Sequence, residues 1–75
     1  MLYDLNFRCT DDLGTWLSNS STCCDSDDDA TAWAAAEIER LRKRWPDTKY
    51  SDIVLVECDL TPMYIRGDRI VTEIR

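Results

Sequence analysis

The side chains able to do chemistry are few. Cysteines stand at Cys9, Cys23, Cys24 and Cys58, and none of the 75 residues is histidine. Without imidazole the chain lacks the commonest general base, nucleophile partner and metal ligand at neutral pH. Cys23 and Cys24 fall just before a helix start, where the backbone dipole lowers a thiol pKa. Asp25, Asp27, Asp28 and Asp29 crowd the same place, and negative charge acts the other way. Neither a reactive cysteine nor an enzyme is expected. The cysteine spacing holds no C-x-x-C pair, and adjacent cysteines chelate one ion poorly, so no metal site is expected. A bridge from Cys9 to Cys23 or Cys24 stays conceivable if the intervening segment folds back.

Asp25, Asp27 and Asp29 repeat the acidic alternation that opens an EF-hand loop. The sixth position is then Ala30 where glycine is needed, and the twelfth is Ala36 where glutamate is needed. With glycine only at Gly14 and Gly67, there is no phosphate-cradling loop and no cofactor is expected. Arg66-Gly67-Asp68 reads as a turn, and Asn19-Ser20-Ser21 is a glycosylation acceptor only in a secreted chain.

The element that must position these groups is an amphipathic helix over Ser26 to Trp45. Ser26 is a good N-cap, and the aspartates of the first turn suit the positive end of the dipole. Arg40, Arg42, Lys43 and Arg44 suit the other end, and Pro46 forbids continuation. Glu39 can pair with Lys43, and Glu37 with Arg40. Ala30, Ala34, Ile38, Leu41 and Trp45 form its apolar stripe. Trp33 flanks that stripe, either as a half-covered rim residue or as an exposed anchor for a partner.

Leu2 to Cys9 alternates, with Tyr3, Leu5, Phe7 and Cys9 on one side, and reads as a half-buried strand facing the helix. Thr10 to Asp25 reads as a polar connection of sixteen residues. Within it Leu13, Trp16 and Leu17 have one-turn helical spacing, and Trp16 is either a lid on the core or an exposed binding residue. Ser18 to Thr22 is expected to be the most mobile part. Pro46 to Ser51 is a turn. Asp52 to Leu60 is a second strand, with Val54, Val56, Cys58 and Leu60 assigned to the helix side and Ile53, Leu55, Glu57 and Asp59 to the other. Thr61-Pro62 ends it. Met63 to Arg66 and Arg69 to Ile74 follow as strand pieces around a Gly67-Asp68 turn, with Ile70 and Ile74 facing the core. The expected fold is a single α+β domain in the order β-α-β-β, with one helix on one face of a largely antiparallel sheet of three to four strands. The open face would show Asp4, Asn6, Arg8, Leu55, Val71 and Glu73.

A chain of this length buries about 60–65% of its unfolded surface, so a partner or a dimer would be natural support. The net charge is −6. Residues 1–39 carry nine acids and one base, and residues 40–75 carry eight bases and six acids, so −8 and +2. An acidic chain is repelled by nucleic acid, and direct binding to it is not expected. No run reaches transmembrane length and no signal peptide is seen, which points to the cytoplasm and to free thiols. The expected partner is a protein with a basic, nucleic-acid-binding surface. The contact would be one negative patch of Asp11, Asp12, Asp25, Asp27, Asp28 and Asp29, with Trp16, Trp33 and Glu37 beside it. The alternative is a structural or regulatory homodimer through the open sheet face or an edge strand, with no inhibitory role.

In size and plan the chain resembles the small proteins that bacteriophages encode against host machinery, anti-CRISPR proteins among them. The features shared are the compact strand–helix–strand–strand plan and the acidic run Asp25-Ser26-Asp27-Asp28-Asp29. The resemblance implies inhibition of a host nucleic-acid-binding complex such as a CRISPR effector, in some members by mimicry of DNA, and residence in the host cytoplasm. It assigns no role to an individual residue.

Overall fold

A computed structural model of the chain describes residues 1–58 and 68–75. The order is β1 (Leu2–Asp11), β2 (Gly14–Cys23), α1 (Asp27–Arg44), β3 (Lys49–Cys58) and β4 (Asp68–Ile74). The strands form one antiparallel sheet, β2-β1-β3-β4, with the helix over β3 and β4. This is the expected α+β fold of one helix on one face of a small antiparallel sheet, with one strand more than the β-α-β-β order.

The helix has the ends its sequence dictates. Ser26 Oγ accepts from Asp29 N–H at 3.1 Å, and Trp45 is the C-cap, its N–H donating to Leu41 O at 2.8 Å. Ala30, Ala34 and Ile38 are buried, and Leu41 packs at the margin. Trp45 departs from the stripe. It is 52% exposed, because it lies past the last helical turn, and the Arg44 guanidinium stacks 4.5 Å from its ring. The pairs Glu37–Arg40 and Glu39–Lys43 both form.

The connection expected over Thr10 to Asp25 is instead the second strand of a hairpin. Asp11 Oδ1 accepts from Leu13 N–H at 2.7 Å, an Asx turn at the tip. Gly14 follows at φ +140, a conformation that side chains disfavour, so the chain can reverse there. The ladder then runs without a register shift from Asp11↔Gly14 to Leu2↔Cys23. The helical spacing of Leu13, Trp16 and Leu17 is therefore not realised, and Ser18 to Thr22 sits within the ladder. No residue of β2 is buried.

β3 faces the opposite way from its expected parity. Tyr50 lies on the helix side, opposite Cys9, its ring edge-on to Phe7 with centroids 5.8 Å apart. Between Asn6↔Val54 and Arg8↔Ser51 the register slips, and Asp52 adopts φ 50. That β-bulge inserts one residue and flips every later side chain. Ile53 and Leu55 thus enter the core, while Val54, Val56 and Cys58 turn to the open face, where Cys58 is nonetheless buried. A second shift between Leu55 and Val56 leaves Val71 as the extra residue on β4. Val71 and Ile74 pack on the core, and Ile70 is 65% exposed. Leu55 and Val71 are therefore not on the open face, which keeps Asp4, Asn6, Arg8 and Glu73 and gains Val54 and Val56. The expectations for Asp59, Leu60, Thr61-Pro62 and Met63 to Gly67 lie outside the described residues.

Candidate functional site

β1 and α1 together set the chemistry. Tyr3, Leu5, Phe7 and Cys9 line the inner face of β1 and meet Ala30, Ala34 and Ile38. Because α1 runs above β3 and β4, no other described element lies over the same face of β2. The result is an open groove of about 380 Å³ between the C-terminal half of α1 and β2. Phe7, Trp16 and Tyr50 line it from the sheet and Leu41 and Trp45 from the helix end, and Asp11, Glu37 and Arg40 are its charged lining residues. Trp16 is 44% exposed and stands opposite Cys9. Burial pushes the Cys9 thiol pKa up, and the nearby Asp11 carboxylate adds to it. A thiol held protonated in this way is a poor nucleophile.

Of the residues singled out in the sequence, the groove gathers Asp11, Trp16 and Glu37. The others go elsewhere. Asp12 is at the hairpin tip with Asp11, beside Pro46 and Asp47. Asp25, Asp28 and Asp29 are exposed at the start of α1. An 18-residue helix is about 27 Å long, so Asp11 and Asp12 stand that far from Asp27 to Asp29. The single negative patch is thus two clusters, because the hairpin carries the chain back along β2 before α1 begins. Trp33 packs half-buried against the core. The Cys9 bridge is excluded by the same reversal. Cys23 pairs with Leu2, seven ladder positions or about 23 Å from Cys9.

Asp27 is committed to the fold. Tyr3 Oη donates to Asp27 Oδ1 at 2.8 Å, and Arg69 Nη2 donates to both Asp27 oxygens at 2.8 and 2.9 Å and to Glu57 Oε2 at 2.7 Å. One clasp therefore ties β1, α1, β3 and β4. The Arg69 guanidinium, and then the Tyr3 hydroxyl, hold the Asp27 carboxyl below its usual range. Burial first, and then the bond to Asp27, push Tyr3 up to about 12. On the open face, Ser21 Oγ and Cys58 Sγ both donate to Asp4, the thiol at 3.2 Å. Arg8 pairs with Asp52 at 2.8 Å.

Among the described residues no three of Cys, Asp and Glu cluster closely enough to hold a metal ion. No helix among them is long and apolar enough to cross a membrane. Sequence reasoning missed Tyr50 and Trp45 as groove residues. Their signal was the pair of aromatics flanking the Pro46 turn, which only a hairpin reaching that turn could make into a wall. Comparison with protein-family models, curated proteins and solved structures found no match.

Proposed function

We propose that this chain is a small acidic interaction protein that docks on the basic surface of a protein partner and blocks it, and does no catalysis. The observation that carries the reading is Trp16, a large aromatic left half-open in a groove that also holds Asp11 and the Glu37–Arg40 ion pair. A half-exposed tryptophan ringed by polar groups is the usual composition of an energetic hot spot. The net charge of −6 and the exposed Asp25, Asp28 and Asp29 favour a basic partner and speed its approach. Basic surfaces of that kind belong to nucleic-acid-binding complexes. The specific form proposed is a phage-encoded inhibitor of such a complex in the host cytoplasm, a CRISPR effector being the first candidate.

The test is titration of the chain against a purified CRISPR effector complex across a salt series. The reading expects binding that weakens with salt, and a loss of about 30-fold or more for Trp16→Ala. Binding indifferent to both salt and Trp16→Ala would remove it. Substitution of Asp25, Asp28 and Asp29 by Asn should reduce the salt slope and leave Asp27 and the clasp in place.

A further inference from the structure

We infer that β2 is a self-pairing edge: two copies of this chain join antiparallel along Gly14–Cys23 into one continuous eight-stranded sheet. The inference goes beyond the partner contact proposed above and does not depend on it.

The sheet has two outer edges, and they are built differently. β4 is seven residues long, is bulged at Val71, and carries Arg69 and Glu73. Short length, bulges and charges are the devices that keep an edge from accepting another strand. β2 has none of them. It is ten residues long, its ladder to β1 is unbroken, and it contains neither proline nor a charged residue. Leu13 to Cys24 is the longest uncharged run in a chain that is 32% charged. Two copies, each at −6, repel overall, and this strip is where they can meet without facing charges. A basic segment from another protein would find no carboxylate on β2 to meet, so a second copy fits the strip better.

The energetics point the same way. Fixing a residue's backbone costs about 1–2 kcal/mol. A ladder hydrogen bond returns about 0.5–1.5 kcal/mol. In β2 no buried side chain adds to that return. Pairing along the outer side doubles the ladder and covers part of Trp16 and of Leu17, which is 78% exposed. The contact strip is about 33 Å long and about 10 Å deep on each copy. The strip alone falls short of the roughly 1,000 Å² that a specific interface needs, and Trp16 and Leu17 folded over the junction bring the pair nearer to it.

Symmetry fixes the register. Identical antiparallel strands in one sheet are related by a twofold axis normal to it, so the residue on the axis meets its own copy. The midpoint of Gly14–Cys23 falls between Ser18 and Asn19, and one of them must be that residue. Trp16 then lies opposite Ser20 or Thr22 of the second copy, large against small. Both helices stay on one face, at least five strand spacings or about 24 Å apart, and the two grooves open onto a shared floor.

Sedimentation equilibrium of the reduced chain over a concentration series tests this. Wild type should approach twice 8.7 kDa. Ser18→Lys with Asn19→Lys puts like charges on the axis in either register and should weaken association by at least about tenfold. Ala32→Lys with Ala35→Lys, on exposed helix positions, changes net charge equally and should leave it intact. A wild type that stays at 8.7 kDa throughout overturns the inference, as does an axis variant that associates like the control. Should the axis variant fail to fold by circular dichroism, amide exchange of wild-type β2 decides. Outward amides that slow with rising concentration support the pairing, and exchange independent of concentration refutes it.

Discussion

β2 and β3 are both ten residues long and both antiparallel to β1, one on each side of it. β3 has two strand neighbours and buries Ile53, Leu55 and Cys58. Among the described residues β2 has one strand neighbour, and none of its own residues is buried. The difference lies in their apolar content, KYSDIVLVEC against GTWLSNSSTC. β3 is held by the core and in turn positions α1. β2 is held by β1's backbone and a tip turn, and so stays available to something outside the chain.

Leu55→Ala should cost about 2–5 kcal/mol in denaturant unfolding, because Leu55 is fully enclosed. Ser20→Ala, on β2, should stay within about 0.5 kcal/mol. Equal losses would mean that β2 carries core packing after all. Next is the bulge that decides which β3 residues face inward. Asp52→Val should cost about 1–3 kcal/mol, since a β-branched residue resists φ 50. Asp52→Gly keeps the bulge and loses only the exposed ion pair to Arg8, a smaller effect. Ser26→Ala removes the helix cap and should cost about 1 kcal/mol.

The clasp predicts how stability follows pH. The Asp27 pKa is depressed in the fold, so its contribution is present above the ordinary carboxylate value and is lost as pH falls through the folded one. Asp27→Asn should flatten that acid limb in a series of unfolding curves. The Tyr3 pKa is raised, so its contribution is full below the unfolded value near 10 and is lost as pH rises towards about 12. Tyr3→Phe should flatten the alkaline limb and leave the acid one sloped. An unchanged pH profile in both variants would mean that the clasp does not form.

The legible parts of this fold were those with period and punctuation. Ser26, the aspartate triplet and Pro46 mark α1 to within a residue at each end, and the alternation from Tyr3 to Cys9 marks β1. β2 was illegible because Ser, Thr and Asn give no hydrophobic period, while Leu13, Trp16 and Leu17 imitate a helical one. The parity of β3 was misread because Ile53 to Val56 is apolar on both faces, so only the bulge at Asp52 decides it. For the site, residue type pointed to Trp16, Asp11 and Glu37, which the groove does gather. The acidic patch failed because charge was summed along the sequence, whereas the hairpin separates Asp11 and Asp12 from the helix start.

Among the described residues β2 is an ordered strand paired with β1 alone. Residue-by-residue amide exchange of the dilute protein over Gly14–Cys23 reads this directly. The prediction is alternation, every second amide protected by β1 and the ones between exchanging fast. Uniformly fast exchange, or protection in the three-to-four-residue rhythm of a helix around Leu13 to Leu17, would contradict it.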